Sequence, residues 1–304
     1  MNNPLVSICI GTFNRSKYIR ECLDSVYAQT YPNLEVIVAD NASTDDTLDI
    51  VRTYRNVKIV PRDSNSGMCS TTRNLAVRAA TGDLVAFLDS DDAWYPDKLE
   101  KQVAFMERHP QFPLSHTYCH LMDDQSVVYG VRHEKRLPPS GNYFEALLNH
   151  CWITISSTVI RRELYTECGP FTETLPYGQS GEDYEFFLKA AHRHDFGLVP
   201  DVLVKYRKSQ DAITYGNWKG KPRPVPFLRE LLRRRDIWGD RVTPARMNQL
   251  FAEACCENSS YWRDQQFPTR ALWATGQAMA VTPLNPNIWN EGMRSVWRWA
   301  CPRR

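Results

Sequence analysis

Over its first hundred residues the chain switches repeatedly between two hydrophobic periods. Val6, Ile8 and Ile10 recur at every second position and predict a strand ending near Thr12. From about Lys17 to Gln29 the spacing becomes helical, with Ile19, Leu23 and Val26 on one face. Leu34 to Ala39 is a mostly apolar run, as expected of a strand covered on both faces, and it stops at Asp40. Ser43 is then expected to cap a helix containing Leu48 and Val51, with Asp45 and Asp46 in its first turn. Val57 to Val60 reads as a third strand, and a helix from about Ser70 to Ala80 is closed by Gly82. Leu84 to Leu88 is a fourth strand, and Asp97 to Arg108 a helix with Pro96 near its start.

Strand and helix alternating over short connections predict a parallel sheet with right-handed crossovers. In such sheets ligands bind beyond the carboxyl ends of the strands. Thr12, Asp40 and Asp89 each stand at such an end, so three polar groups far apart in sequence converge on one crevice. From about 110 to 210 the pattern loosens. Strand-like pieces occur at Leu114–Tyr118, Ile153–Ile160 and Leu198–Tyr206, with a helix from Tyr184 to His194. Lys219-Gly-Lys-Pro-Arg-Pro-Val-Pro226 is a proline- and base-rich linker, followed by a helical, Trp-rich tail. The expected division is an α/β domain over 1–215, with halves at about 1–110 and 111–215, and an extension over 216–304.

Composition narrows the class without naming it. At 42% apolar and 24% charged, the 304 residues are those of an ordinary globular protein, which argues against disorder or a coiled coil. The formal net charge of +2 conceals an asymmetry: residues 1–200 carry −7 and residues 201–304 carry +9. The two parts are therefore expected to face different partners. Nine cysteines include no CxxC pair, and the adjacent Cys255 and Cys256 suit neither a zinc knuckle nor a redox motif. No basic leader with a long apolar stretch opens the sequence, so reduced thiols and a cytoplasmic location are expected, with Cys9 and Cys22 in the core. The charge-poor windows Ala146–Ile160 and Ala271–Asn290 are broken by polar residues or proline and are not expected to span a bilayer.

Four stretches carry candidate chemistry. Leu88-Asp-Ser-Asp-Asp92 packs three carboxylates into four positions at a strand end, where they repel one another unless a cation sits among them. Oxygen-only ligands suit Mg²⁺ or Mn²⁺, although a lone DxD is more often an acidic turn. The buried strand that aims this one at the crevice favours the metal. Asp40 ends an apolar strand, and with Ser43 better placed to cap the helix it is expected to be free to accept hydrogen bonds from a nucleotide. Ser64-Asn-Ser-Gly-Met68 and then Thr72-Arg-Asn74 join a flexible turn to a helix start, an arrangement that favours phosphate, or else a plain surface Arg. Gly178-Gln-Ser-Gly-Glu-Asp-Tyr184 joins a loop to two acids at a helix start. Those acids are either dipole partners or a general base facing the metal.

In this order and spacing the stretches resemble the family 2 glycosyltransferases, over about Pro4 to Arg207. The resemblance rests on Val6-Ser-Ile-Cys-Ile-Gly-Thr-Phe-Asn-Arg15, Ala39-Asp-Asn-Ala-Ser-Thr-Asp45, Thr72-Arg-Asn74, Leu88-Asp-Ser-Asp-Asp92, Gly169-Pro-Phe171 and Gly181-Glu-Asp-Tyr184. It implies a GT-A fold, Rossmann-like, with a mostly parallel sheet flanked by helices, here followed by a mainly helical C-terminal extension. It implies that Asp40 contacts the base of a uridine-type nucleotide in a pocket lined by Thr12 and Asn14. Arg73 would hold the nucleotide or its phosphates, and Asp89, Ser90 and Asp91 would form the DxD that binds metal and donor sugar. Asp183, with Glu182 beside it, would be the general base. The reaction so implied is inverting transfer from a UDP-sugar to an acceptor hydroxyl, in bacterial surface polysaccharide, glycolipid or other glycoconjugate assembly.

Two departures qualify the resemblance. Tyr206-Arg-Lys-Ser209 has Ser where many members carry His, so that residue's task is not carried over. No QxxRW motif of processive members occurs, which implies one sugar per encounter. A sugar-phosphate nucleotidyltransferase would need a glycine-rich phosphate loop near the first strand, and Gly11 to Arg15 holds one glycine. Transfer to polyprenyl phosphate, which needs no base, and a degenerate sugar-nucleotide-binding protein are the other readings. Beyond the resemblance, Arg229, Arg233, Arg234 and Arg235 lie among Phe227, Leu228, Leu231 and Leu232. The plain reading is a helical subdomain with a solvated basic face. The alternative is docking, peripherally, on an anionic membrane surface or a phosphorylated glycolipid. A sugar-nucleotide pocket makes nucleic acid a poor partner.

Overall fold

A computed structural model describes residues 3–132, 138–174, 181–209, 234, 241–264 and 267–300. The chain divides into two compact units, one of residues 1–147, 151–175 and 179–212, the other of 148–150, 176–178 and 213–304. The first unit opens with β1 (Val6–Thr12), α1 (Ile19–Tyr27), β2 (Leu34–Asp40), α2 (Thr47–Arg52), β3 (Val57–Pro61), α3 (Cys69–Ala79), β4 (Leu84–Asp89) and α4 (Lys98–Arg108). Each is an element the hydrophobic pattern predicts, within a few residues. Between β4 and α4 lies the two-residue β5 (Ala93–Trp94). Then follow β6 (Leu114–Met122), β7 (Val128–Arg132), α5 (Phe144–Asn149), β8 (Val159–Arg161), α6 (Arg162–Cys168), α7 (Glu182–Arg193) and β9 (Gly197–Arg207).

The nine strands form one sheet ordered β3-β2-β1-β4-β8-β6-β9-β5, with β7 paired to β6. β1 pairs in parallel with β2 and β4, and β2 with β3, as short crossovers require. The remainder is mixed: β8 is antiparallel to both β4 and β6, whereas β6 and β9 run parallel. The predicted strand Ile153–Ile160 is mostly not one. A 3₁₀ turn at Ile155–Ser157 occupies its middle, and only Val159–Arg161 joins the sheet. Val6, Ile8, Ile10, Val36, Val38, Ala86 and Leu88 build the core with Ile19, Leu23 and Val26 of α1 and Leu99 and Val103 of α4. Cys9 and Cys22 are buried free thiols, Cys22 within this core, and burial pushes both well up from the ordinary thiol range.

Two glycines mark close backbone approaches at the two ends of β1. A Cβ on Gly11 would lie 2.5 Å from Thr72 Oγ1, so α3 rests directly on the end of β1. A Cβ on Gly82 would lie 2.4 Å from the Leu5 carbonyl oxygen, where the chain closes back on β1 before β4 begins.

Beneath the sheet edge Lys98 is fully buried, its Nζ 4.0 Å from the centre of the Trp94 ring and without a hydrogen-bond partner. Desolvation pulls its pKa down to about 7. Between pH 7 and 10.5 the unfolded lysine binds a proton that the folded one releases, so folding stability rises with pH across that window. Lys98→Met keeps the volume and removes the buried amine. It is expected to raise Tm at pH 7 by at least ~2 °C and to flatten that pH slope. A less stable variant, or an unchanged slope in a thermal-melt series, would show that the amine is satisfied.

The second unit contains α8 (Pro244–Asp264), α9 (Pro268–Val281) and α10 (Pro286–Ala300), which agrees with the expected helical extension. Small residues let the helices approach: Ala271, Ala274 and Ala278 are buried, and a Cβ on Gly292 would lie 2.9 Å from Met279 Cε. Buried Ser259 joins the three helices through its hydroxyl, 2.8 Å from Thr275 Oγ1 and 3.0 Å from Ser295 Oγ. The linker at Lys219–Pro226 and the basic residues Arg229, Arg233 and Arg235 lie outside the described residues.

Candidate active site

All the sequence-predicted site residues belong to the first unit, and they gather into two groups at the carboxyl edge of the sheet. Register explains why. Thr12 pairs with Asp40 across β1 and β2, while Gly11 pairs with Asp89 across β1 and β4. The end of β1 therefore stands between the two acids.

Thr12, Asn14 and Asp40 form the first group. Asp40 is buried, and its carboxylate accepts the Ser43 N–H at 2.9 Å and the Ser43 hydroxyl at 2.5 Å. This corrects the expectation that Ser43 caps α2 and leaves Asp40 free. The helix begins four residues later at Thr47, and the side chain that takes the Thr47 N–H is Asp45. A carboxylate three residues upstream competes better for Ser43 than the helix does. Ser43 Oγ in turn accepts the Asn14 N–H at 2.9 Å, and Asn14 Oδ1 accepts the Thr44 N–H at 2.8 Å. Asn14 takes a left-handed φ of 50° to do so, a conformation Asn tolerates. Asp45 also accepts the Ser16 N–H. Although part-burial opposes the charge, its hydrogen bonds from Thr47 and Ser16 hold it down at about 2. Thr12 Oγ1 is buried and has no partner.

The second group centres on the turn after β4. The three carboxylates do not act as one cluster. Asp92 is buried and faces inward, accepting the Ser156 hydroxyl at 2.5 Å and the Arg207 main-chain N–H at 2.8 Å. Burial, then the charges of Asp91 and Asp89, push its carboxyl well up. Ser156 Oγ also accepts the Asp89 N–H at 3.0 Å, so one hydroxyl fixes both ends of the turn. Ser90 is buried between them. Asp89 and Asp91 keep side chains 34% and 18% exposed, which leaves them as the pair able to face a ligand. Arg15 Nε stands 3.9 Å from Asp91, and even so burial and the charge of Asp89 raise the Asp91 pKa. These two crowded carboxylates, Asp89 paired with Arg73 and Asp91 only distantly faced by Arg15, are a donor set that fits a hard divalent cation whose other ligands come from elsewhere. Among the described residues no group of three or more His, Cys, Asp or Glu assembles as a metal cluster.

Arg73 is placed differently from its expected role on phosphate. It is buried, with Nη2 on Asp89 Oδ1 at 2.7 Å and Nη1 on Glu182 Oε1. The guanidinium is committed to two carboxylates, Asp89 at the end of β4 and Glu182 in the first turn of α7. Glu182 is buried with Oε2 unpartnered, and desolvation outweighs Arg73 and raises its pKa to about 7. Asp183 is the more open of the two acids and accepts the Tyr184 N–H at 2.8 Å. Desolvation raises its pKa too, against the pull of Arg73. Asn74 next door is architectural: its amide binds the Phe171 carbonyl and N–H, tying the Gly169-Pro-Phe171 loop to α3.

Sequence reasoning did not single out Arg15, Ser156 or the inward turn of Asp92. The charge of Arg15 beside a strand end was a legible signal. Ser156 carried none, since its place depends on the 3₁₀ turn.

The model of the family described as glycosyl transferase family 2 matches residues 7–169, more than half of the chain. The chain belongs to that family. It is 35% identical over 185 residues to an Escherichia coli protein named UDP-Glc:alpha-D-GlcNAc-diphosphoundecaprenol beta-1,3-glucosyltransferase WfaP, covering 60% of this chain and 69% of the relative. It is 31% identical over 217 residues to the uncharacterized glycosyltransferase RC0461 of Rickettsia conorii, covering 71% of this chain but 35% of the relative. The chain thus spans about a third of the length of three rickettsial relatives it matches, and 64% of the length of two others. In fold it resembles S. aureus TarS 1–349 in complex with UDP, with a TM-score of 0.67, 23% identity and coverage of 98% and 93% of the two chains. It also resembles the mannosyltransferase PcManGT of Pyrobaculum calidifontis in complex with GDP-Man and Mn²⁺, with a TM-score of 0.59, 21% identity and coverage of 100% and 89%. The fold is GT-A, with a helical C-terminal region.

Proposed function

We propose that the protein transfers a single sugar from a UDP-sugar to an acceptor hydroxyl, with inversion and with a divalent metal, in the assembly of a bacterial surface polysaccharide or glycolipid. The carrying observation is the chain Asp89–Arg73–Glu182, which places the half-buried Asp183 on the α7 turn that is tethered to the carboxylate turn. Asp89 and Asp91 would hold Mn²⁺ or Mg²⁺, and the cation when bound would neutralise charge developing on the departing diphosphate. Asp183 takes the proton from the attacking hydroxyl, its raised pKa making it a stronger acceptor near neutral pH. Transfer to polyprenyl phosphate would leave this base without a task. Thr12, Asn14 and Asp40 line the nucleotide end, where the orphaned Thr12 hydroxyl supports a polar ligand. The UDP-bound TarS and the UDP-Glc named for WfaP support the choice of nucleotide, and the Mn²⁺ of PcManGT supports the metal.

The test is a panel of nucleotide sugars scored by thermal shift with and without Mn²⁺, followed by NMR of the product anomer. Stabilisation by a UDP-sugar that needs Mn²⁺, and an inverted anomer, are expected. No metal-dependent shift with any donor, or a retained anomer, would overturn the reading.

The acceptor side of this proposal includes an anionic membrane surface. Trp289, Met293 and Val296 are exposed at successive turns of α10 with Arg294 among them, in the part of the chain that carries +9. Among the described residues no helix is long and apolar enough to cross a bilayer, so contact would be peripheral. The intact chain should co-sediment with anionic vesicles, less as salt rises, and the Trp289→Ser, Met293→Ser variant should lose that binding. Equal partitioning to neutral vesicles, or no loss in the variant, would remove the membrane role.

A further inference from the structure

Arg207, the last residue of β9, has its charge almost wholly enclosed, with its side chain 1% exposed. Every face of the guanidinium is occupied. Nε donates to the main-chain oxygen of Asp91 at 2.8 Å. Nη1 donates to the Asp123 carbonyl at 2.7 Å and to Ser126 Oγ at 3.1 Å. Nη2 pairs with the Glu21 carboxylate and reaches Ser126 Oγ at 3.1 Å. The flat of the group lies 4.6 Å from the centre of the Tyr18 ring. Its own main-chain N–H binds Asp92 Oδ1. One residue thus joins the carboxylate turn, the start of α1 and the tip between β6 and β7.

The surroundings are shaped to receive it. Asp123 folds the hairpin tip by accepting the N–H groups of Gln125 and Val127, both at 2.9 Å. Ser126 adopts a left-handed φ of 63°, unfavourable for Ser, and its hydroxyl then bridges Glu21 and Arg207. Tyr18 is fixed by a 2.8 Å bond from its hydroxyl to Asp124. A buried arginine needs such partners, yet the partner that matters to the site is a neutral one. Asp89 and Asp91 repel each other, and a short turn can relieve that repulsion by rotating its main chain. The Nε bond to the Asp91 carbonyl, with Asp92 fastened to the Arg207 N–H, opposes that rotation.

We propose that Arg207 is the positioning residue of the metal-facing turn: it holds the Asp91 main chain so that the Asp89 and Asp91 carboxylates stay directed at one cation. This deepens the function proposed above and rests on its metal assignment. Planarity is what the role requires. Lysine at this position keeps the charge for Glu21 and Tyr18 but has one donor centre and cannot also reach the Asp91 carbonyl along the Nε–H direction.

The experiment compares wild type, Arg207→Lys and Glu21→Gln as full-length chains. Mn²⁺ binding is followed by EPR in the presence of UDP, UDP binding without metal by calorimetry, and folding by thermal melt. Arg207→Lys is expected to weaken Mn²⁺ binding about tenfold while metal-free UDP binding stays as in wild type. Glu21→Gln removes the ion pair but keeps the Nε bond, so it should lower Tm and leave Mn²⁺ affinity unchanged. Wild-type Mn²⁺ affinity in Arg207→Lys overturns the positioning role, whatever its Tm. So does an equal loss of Mn²⁺ affinity in both variants, because the effect would then follow stability. If wild type itself takes up no Mn²⁺, the metal reading fails and this proposal with it.

Discussion

Asp91→Ala is expected to abolish sugar transfer and the Mn²⁺-dependent part of donor binding, and to leave the protein at least as stable as wild type. The two halves of that result have separate causes. Of the three acids after β4, Asp92 faces the interior and Asp89 is shared with Arg73. Asp91 is therefore the carboxylate with most to give a cation. The turn does not need that carboxylate to hold its shape, because its anchors are the Asp91 carbonyl on Arg207 and the Asp92 side chain on Ser156 and Arg207. Burial and Asp89 raise the Asp91 pKa, so in the folded state its ionised form is unfavourable. By linkage, the stability associated with this group is present below its unfolded pKa and is lost as pH rises through the raised folded value. Removing it should therefore help most above that value, near neutral pH without metal. Thermal melts at pH 5 and 7.5, with donor-binding and transfer assays in Mn²⁺ and in EDTA, check all three points. A variant that unfolds, or wild-type turnover in EDTA, would show that Asp91 holds the turn rather than a metal.

The sequence made the first half of the sheet legible because parallel strands buried on both faces are apolar runs, and Leu34–Ala39 and Leu84–Leu88 are such runs. β7 was not legible, since an edge strand of Val128–Arg132 exists only through its pairing with β6. β5 is two residues long and is defined by β9, far away in sequence. At the site, residue types at strand ends were readable, but their orientations were not. Asp40, Asp91 and Asp92 look alike in sequence, but the Ser43 and Ser156 hydroxyls bind Asp40 and Asp92 while Arg15 stands 3.9 Å from Asp91. Arg73 illustrates the same gap. A basic residue at a helix start suggests phosphate, but its burial between Asp89 and Glu182 becomes visible only once α3 and α7 are brought together. The helix-start acids gained a specific reading the same way, for Arg73 engages Glu182 and leaves Asp183 as the more open group.

That division of labour makes Asp183→Asn the sharper test of the chemistry. The amide keeps the size of the side chain and can still accept the Tyr184 N–H through its oxygen, so the first turn of α7 should persist. What it cannot do is take a proton. Turnover is expected to fall by ~10²-fold or more, with donor affinity and Mn²⁺ dependence close to wild type. In wild type the rate should fall as pH drops through the Asp183 pKa, which desolvation places above the ordinary aspartate value despite Arg73. The residual rate of the variant should lack that acidic limb, because nothing at position 183 remains to be protonated. Glu182→Gln provides the contrast. It loosens Arg73, whose other partner is Asp89, so donor and metal affinity should suffer while the acidic limb of the pH profile survives. If Asp183→Asn turns over normally and the limb disappears in Glu182→Gln instead, the proton acceptor is Glu182. In that case Arg73 would be guarding the base rather than tethering its neighbour.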